Sequence, residues 1–133
     1  SAREAEDRVG EWLDAQPSKS LPTAFLLGGD FLAAGAVKAL QKRGLRVPQD
    51  VSVMSIDGFN LAAIQEVPLT AVHVPRDELG EEAVHLLQQR LIRPDAPTGT
   101  LLLNGRLTVR ESVRRIRPDK RRTAVERAGL YDD

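Results

Sequence analysis

Two acidic residues stand where a sheet could present them to a small molecule. Asp30 and Asp57 each follow a short apolar run, and the two runs are consecutive along the chain. In an open parallel sheet, ligands bind in the crevice at the carboxyl ends of the strands. Carboxylate oxygens at that edge can accept hydrogen bonds from hydroxyl or amine groups. The pattern therefore predicts half of a small-molecule site between residues 21 and 70.

Three apolar runs predict the strands that would position these carboxylates. Ala24–Leu27 is typical of a fully buried strand, and Val51–Ile56 predicts a second one. A third strand is predicted from Leu69 to Val74. Between the first two strands, a helix follows Asp30 and ends at Gly44, where a glycine can adopt the left-handed conformation.

Further elements flank this unit. Helical spacing predicts an amphipathic helix over about residues 3–16 and another from Pro75 to about Leu91. Leu101–Leu103 and Leu107–Val109 are predicted strands, which either flank a turn at Asn104 or form one bent strand. Strands alternating with helices predict an α/β fold with a parallel sheet flanked by helices.

Composition narrows the class of protein. Hydrophobic residues make up 41% of the 133 residues and aromatic residues 4%, which predicts an aliphatic core in one domain. The 19 basic and 19 acidic residues cancel, so no global field attracts nucleic acid or a membrane. Cysteine is absent, which excludes disulfides and thiolate metal sites. We expect a soluble, cytoplasmic protein without an export signal.

Catalytic motifs are missing from the sequence. There is no nucleophile elbow, no phosphate-binding loop with lysine and no histidine pair at metal-ligand spacing. Two carboxylates without a base, metal or nucleophile are weak grounds for catalysis. We therefore expect a non-enzyme with no cofactor and no metal site, and an enzyme on a doubly wound sheet stays the least favoured alternative.

Several ordered motifs give the sequence a family resemblance. The stretches Pro22–Leu40 and Gly44–Asp57 resemble the lactose/galactose repressor family, as do Pro68-Leu-Thr and Glu78-Leu-Gly. The closing Leu107–Ser112 is similar to the arginine-any-serine signature of that family. Two motifs are most similar to the purine repressor branch, namely Gly-Gly-Asp at 28–30 and Gly-Leu-Arg-Val-Pro-Gln-Asp at 44–50. The resemblance covers about residues 8 to 115.

The resemblance implies a fold and a role. Family members carry a DNA-reading helix-turn-helix and a two-lobed sensor with a type I periplasmic-binding-protein-like fold. By this resemblance, residues 1–113 form the C-terminal portion of the sensor, within which 76–92 is a helix of the other lobe. The implied function is effector sensing and dimerisation in a transcriptional repressor that meets operator DNA only through a domain missing from this chain. A periplasmic-type sugar-binding protein, which shares the fold, is the alternative.

The resemblance also implies binding residues for a sugar, a nucleobase or a similar effector. For Asp57 we favour ligand contact over a turn-forming role, whereas for Asp30 we favour a helix N-cap over ligand contact. Gly29 stands where relatives usually carry asparagine, so a polar contact is lost or passes to backbone amides. His73 is a candidate for either a structural or a ligand role. Arg76 stands where relatives vary between basic and aromatic residues that face the cleft.

A homodimer is a further implication. Family members pair through segments that match Phe31–Arg43 and Phe59–Val67 of this chain, and small or apolar side chains are expected to form a self-complementary patch. The candidate interface residues are Ala33, Ala34, Leu61, Ala62, Ile64 and Gln65.

Three expectations concern the end of the chain. The leucines of helix 76–92 should be covered by folding back onto their own lobe or by exchange with a second chain, and the isolated chain should bind effector poorly. Arg110 and Ser112 are expected to form a structural hydrogen-bonding pair. Residues 114–133 are basic, and the cluster of arginine and lysine between Arg114 and Arg122 has no interleaved aromatic residues, so we favour a flexible tail over a nucleic-acid contact.

Overall fold

The computed structural model of the protein describes residues 1–16 and 21–116. The helices are α1 (Ala2–Asp14), α2 (Asp30–Lys42), α3 (Asn60–Ala63) and α4 (Arg76–Ile92). The strands are β1 (Ala24–Leu27), β2 (Ser52–Asp57), β3 (Thr70–His73) and β4 (Arg106–Thr108). The predicted helices and the first three predicted strands are therefore all present, with ends shifted by at most two residues.

The four strands form one sheet in the order β1-β2-β3-β4. The first three strands are parallel, with Leu26 beside Met54 and Ile56 beside Val72, and β4 pairs with β3 in the antiparallel direction. This arrangement confirms the predicted α/β class with a sheet flanked by helices. The strand predicted at Leu107–Val109 is present as β4, but its antiparallel direction was not predicted.

The strand predicted at Leu101–Leu103 is wrong. Those residues have no strand pairing in the part of the chain that the structure describes, and Leu102 is 84% exposed. Of the two strands predicted in this region, only the second is present, and as Arg106–Thr108 it pairs with β3. An apolar run forms a strand only where a neighbouring strand offers free backbone groups, and here that stretch lies beyond the sheet.

The core is aliphatic, as composition predicted. It lies between α2 and the sheet and includes Leu40, Val53 and Leu69, all of which are fully buried. Trp12 of α1 packs edge-on against Phe25 of β1, with ring centroids 5.7 Å apart. α2 is the central helix of the fold because it contacts both α1 and the first two strands.

The contact between α1 and α2 depends on a glycine. A Cβ built on Gly35 would lie 2.1 Å from the carbonyl oxygen of Ala2 and 2.9 Å from the Cβ of Ala5. The two helices are therefore too close at this point for any side chain. Arg43 at the end of α2 fixes the other end of the contact, since its guanidinium donates to both carboxylate oxygens of Asp14 at 2.7 and 2.5 Å.

β1 is less buried than the sequence predicted. Its side chains alternate between exposed and half-buried, and Leu26 is 64% exposed, so the strand is not fully buried. β1 is the edge strand of this sheet, and α2 covers only one of its faces. An uninterrupted apolar run does not tell an edge strand from a central one.

A short loop joins α2 to β2. Gly44 has φ +73°, which confirms the predicted left-handed end of the helix. Arg46 then closes the loop onto Asp50, with Nε and Nη2 donating to the two carboxylate oxygens at 2.9 Å each. The backbone amide of Arg46 donates to the same carboxylate at 2.8 Å. These charged hydrogen bonds lower the pKa of Asp50 from 3.8 to about 2.

The lowered pKa of Asp50 predicts that part of the stability of the fold is lost in acid, over a narrow pH range. Because the pKa of Asp50 is lower in the folded state, its stabilising contribution is complete above pH 3.8 and disappears as the pH falls toward 2. In thermal unfolding, the Tm of the unsubstituted protein should exceed that of Asp50→Asn at pH 5, and the two should converge by pH 2. Glu66→Gln, which removes an exposed carboxylate, should show no such convergence. A gap between the unsubstituted protein and Asp50→Asn that persists unchanged to pH 2 would contradict the assignment.

The signature near the C-terminus holds strand ends together, as predicted. Ser112 is fully buried; its Oγ donates to the carbonyl of Val53 at 2.5 Å and accepts from the amide of Thr70 at 2.8 Å. The Arg110 guanidinium donates to the carbonyl of Leu69 at 2.6 Å. The pair therefore links β2 to the start of β3, which confirms its structural role.

α4 overturns an expectation. None of its residues is buried, and Leu87 and Leu91 are 60% and 74% exposed. The predicted folding back onto its own lobe is therefore wrong. α4 leaves the sheet after His73, and its surface lies away from the core formed by α2 and the strands. Exchange with a second chain stays a prediction.

Candidate ligand site at the strand carboxyl ends

The candidate site lies where β1, β2 and β3 end. β2 ends at Asp57 and β3 at His73, and these two residues are paired in the sheet register. β1 ends at Leu27, from which Gly28 and Gly29 lead into α2. Because the three strands are parallel, their carboxyl ends meet at one edge, as the sequence predicted.

Asp57 has an unusual backbone conformation. Its φ is +106°, and it is the only non-glycine residue with positive φ among those that the structure describes. Such a conformation disfavours an ordinary side chain by about 1–3 kcal/mol and is found most often at functional sites. Its carbonyl accepts a hydrogen bond from the amide of Val74 at 3.1 Å, so the neighbouring strand end holds the turn in place. The half-buried Asp57 carboxylate stays partly accessible.

Gly58 lets the turn lie directly against His73. A Cβ on Gly58 would lie 2.7 Å from the Cα of His73, and φ is +66° at this glycine. Nδ1 of His73 is 3.2 Å from the carbonyl oxygen of Gly58. Since a carbonyl can only accept, Nδ1 carries a proton in this contact, and in the neutral imidazole Nε2 is then an acceptor.

Gly29 brings α2 close to the same carboxylate. A Cβ at this position would lie 3.4 Å from Oδ2 of Asp57, which is an ordinary contact distance. Gly29 is the N-cap residue of α2, in an extended conformation. The structure thus brings Gly29, Asp57 and His73 together.

Asp30 corrects the N-cap prediction. It is the first residue of α2, but the helix has no side-chain cap. The carboxylate instead accepts from Oγ of Ser55 and from the amide of Phe59, both at 2.5 Å. Asp30 is 1% exposed, and its partners Ser55 and Phe59 stand on either side of Asp57 in the sequence, so it lies beneath the site. The prediction was wrong because Ser55 of β2 and the amide of Phe59, both distant in sequence, donate to the carboxylate in place of the helix amides.

Arg76 reaches the site from the first turn of α4. Its guanidinium carbon lies 3.4 Å from the centroid of the Phe59 ring, a cation–π contact. Nη1 of Arg76 is buried and has no hydrogen-bond partner among the described residues. A buried guanidinium nitrogen without an acceptor is costly, and because this atom is inaccessible as it lies, a ligand could satisfy it only after the Arg76 side chain shifts.

Phe59 and Ser55 were missed by the sequence reasoning. Phe59 follows the Asp57-Gly58 turn and is 43% exposed, and Ser55 is fully buried in β2. A usable signal was present for Ser55, because a polar residue within an otherwise apolar strand needs a hydrogen-bond partner. Nothing local in the sequence pointed to Phe59, whose role depends on a contact with α4.

The predicted dimer residues fall into two groups. Ala33, Ala34 and Ala62 are at most 5% exposed within a single chain, so the expectation that they offer surface is wrong. Ala33 and Ala62 are buried because α2 and α3 pack into their own core. Ile64 is 76% exposed, whereas Leu61 and Gln65 are half-buried, with the Gln65 amide bonded to the carbonyl of Leu61.

Other features of the described residues do not compete with this site. No group of histidine and acidic residues in ranges 1–16 and 21–116 could hold a metal ion. No helix in the same ranges is long and apolar enough to cross a membrane. A cavity of about 750 Å³ lies beside the end of α4, but Arg90 within it already donates to the carbonyls of Pro94 and Ala96 at 2.8 Å. We therefore place the candidate site at the strand ends.

The family model for the periplasmic binding protein-like domain matches residues 1–113. The chain belongs to this family of periplasmic-binding-protein-like domains. Within it, the curated relatives are transcriptional repressors. The chain is 42% identical over 94 residues to the ribose operon repressor of Haemophilus influenzae, which covers 71% of this chain and 28% of the relative. It is 41% identical over 92 residues to the HTH-type transcriptional repressor PurR of Salmonella arizonae, covering 69% of this chain and 27% of the relative.

A solved structure gives the same result. The LacI family transcriptional regulator from Arthrobacter sp. FB24, in complex with lactose, superimposes with a TM-score of 0.75 at 31% identity. The match covers 86% of this chain and 42% of that regulator. These relatives confirm the resemblance to the lactose/galactose repressor family, and the purine branch is compatible with them. The chain spans less than a third of the length of the ribose operon repressor and of PurR.

Proposed function

We propose that this chain is part of the effector-sensing domain of a LacI-family transcriptional repressor. The observation that carries the proposal is the arrangement of Asp57 and His73 at adjoining parallel strand ends, with Asp57 held at φ +106°. The relatives support it, because they are repressors at 41–42% identity. In this proposal the protein is cytoplasmic, has no catalytic activity, and meets operator DNA through a helix-turn-helix outside these 133 residues.

The site residues limit the chemistry of the effector. Asp57 and, in the neutral imidazole, Nε2 of His73 offer hydrogen-bond acceptors, whereas the guanidinium of Arg76 offers donors once its side chain turns toward the strand ends. A matching ligand carries hydroxyl or amine donors together with an oxygen or nitrogen acceptor, as sugars and nucleobases do. The Gly29 backbone beside Asp57 lines the same edge. The names of the relatives point to ribose, lactose and purines as the first compounds to try.

The exposed leucines of α4 favour a second lobe. Fully burying a leucine is worth about 1.5–3 kcal/mol, and Leu86, Leu87 and Leu91 are all exposed here. We place residues 1–113 in the C-terminal portion of a two-lobed sensor, with helix 76–92 belonging to the other lobe. Exchange with a second chain is the alternative cover for these leucines.

The proposed assembly is a homodimer. Ile64, with the neighbouring Leu61 and Gln65, supplies the accessible part of the interface predicted from the sequence. A C2 arrangement would place this patch against its own copy.

Of the proposed basic tail, 114–133, Arg114 and Arg115 are exposed, while residues 117–133 lie outside the described residues.

A periplasmic-type sugar-binding protein is the second candidate, favoured only by the shared fold family. The two functions differ in their DNA binding. A sensor in a repressor changes the affinity of its protein for operator DNA when effector binds, whereas a sugar-binding protein has no DNA to release.

Calorimetry on the whole gene product that contains this chain tests the proposal. We expect one member of a panel of ribose, lactose, hypoxanthine and guanine to bind, and to change the affinity for DNA from the upstream region of its own gene. Binding of a sugar without any DNA affinity would favour the periplasmic-type function. No binding of any member of the panel and no DNA affinity would contradict the proposal.

A further inference from the structure

Asp30 is buried directly beneath the candidate site. Its two carboxylate oxygens are used separately: Oδ1 accepts from the hydroxyl of Ser55 and Oδ2 from the amide of Phe59. Both distances are 2.5 Å, which is typical of a hydroxyl that donates to a carboxylate and is short for an amide that does so. With 1% of its surface exposed, Asp30 makes these contacts away from solvent.

The two donors lie on either side of Asp57. Ser55 precedes Asp57 by two residues on β2. Phe59 follows Asp57 by two residues, immediately after the Gly58 turn. One carboxylate therefore holds the Ser55 hydroxyl before, and the Phe59 amide after, the residue with φ +106°. The Val74 amide and Nδ1 of His73 contact the same turn from β3, at the carbonyls of Asp57 and Gly58.

The same network reaches Arg76. The amide that Asp30 holds belongs to Phe59, and the Phe59 ring lies under the guanidinium of Arg76 at 3.4 Å. The position of Arg76 therefore depends on the position of Phe59. Asp30 is linked to both the acceptor, Asp57, and the donor, Arg76, of the candidate site.

We propose that Asp30 is a positioning residue for effector binding: through Ser55 and the Phe59 amide it sets the geometry of Asp57 and Arg76. This inference rests on the proposed function and deepens it, because it assigns to Asp30 a supporting role in place of ligand contact. A buried carboxylate with both oxygens bonded to protein supplies rigidity, which a binding site needs to hold its contacts in register.

β2 offers a matched pair of variants for the test. Ser55 and Ser52 are both buried serines of the same strand, at 0% and 6% exposure. The Ser55 hydroxyl donates to Asp30, whereas Oγ of Ser52 accepts from the amide of Arg114 at 3.2 Å, outside the site. Ser55→Ala and Ser52→Ala thus remove one buried hydroxyl each, and only the first removes a contact of Asp30. Asp30→Asn is the third variant, which keeps the side-chain shape but replaces an acceptor oxygen.

Two readouts are required, both on folded protein well below the Tm. In calorimetry with the effector identified on the unsubstituted protein, Ser55→Ala and Asp30→Asn should weaken binding about 5- to 30-fold, and Ser52→Ala less than about 2-fold. In NMR spectra without ligand, the amide proton of Phe59 should shift upfield in Asp30→Asn, because its charged acceptor is lost, and should stay in place in Ser52→Ala.

The outcomes separate this inference from the proposed function. If Asp57→Asn weakens binding but Ser55→Ala and Asp30→Asn bind like the unsubstituted protein, Asp30 does not position the site and the inference fails. If the Phe59 amide does not move in Asp30→Asn, the hydrogen bond itself is contradicted. If the unsubstituted protein binds no member of the panel, the proposed function fails, while the Phe59 amide shift still tests the Asp30 contact.

Discussion

Asp57→Asn is expected to weaken effector binding roughly 10- to 150-fold, the equivalent of about 1.5–3 kcal/mol for a charge-assisted hydrogen bond. The substitution removes the negative charge and replaces one acceptor oxygen with a donor. Asparagine tolerates positive φ about as well as aspartate does, so the turn at φ +106° should persist. Calorimetry on the whole gene product measures the loss directly.

The control for this variant is Asp95→Asn, which neutralises an exposed carboxylate in the loop after α4. It should bind effector with unchanged affinity and show the same Tm as the unsubstituted protein within error. Equal affinities for Asp57→Asn and Asp95→Asn would leave Asp57 with a turn-forming role only and would remove the acceptor from the proposed site.

Gly35→Ala should destabilise the fold more than any other glycine-to-alanine substitution on a helix of this chain. The new Cβ would lie 2.1 Å from the carbonyl oxygen of Ala2, a backbone atom that cannot move without shifting α1. Overpacking of this kind costs about 1–3 kcal/mol, which for a domain of this size lowers the Tm by roughly 5–15 °C. Thermal unfolding followed by far-ultraviolet circular dichroism measures the effect.

Gly80 supplies the matched control on α4. A Cβ at Gly80 meets nothing within 4 Å, and alanine is the better helix former by about 1 kcal/mol. Gly80→Ala should therefore leave the Tm unchanged or raise it slightly. A Tm for Gly35→Ala equal to that of Gly80→Ala would show that α1 does not pack against α2 as described.

Local rules made several features predictable from the sequence. The end of α2 at Gly44 followed from the need for a left-handed residue, and the structure gives φ +73° there. The strand ends that bring Asp57 beside His73 followed from the alternation of strands and helices. These features depend on a few neighbouring residues, so a single sequence suffices to find them.

Features that depend on distant partners were not predictable in the same way. β1 is half exposed because it is an edge strand, and the run at Leu101–Leu103 found no strand to pair with among the described residues. The Asp30 carboxylate accepts hydrogen bonds from Ser55 and Phe59, 25 and 29 residues away along the chain, and does not cap the helix. The exposure of the α4 leucines was unpredictable for the same reason, because an apolar helix face does not show which surface will cover that face.

The most direct test of the proposed site is a crystal structure of the whole gene product with its effector bound. We expect the ligand at the carboxyl ends of β1, β2 and β3, with a hydroxyl or amine group about 2.7–3.2 Å from the Asp57 carboxylate and an acceptor near the guanidinium of Arg76. A ligand bound elsewhere, with Asp57 and Arg76 facing only solvent or protein, would contradict the proposed site.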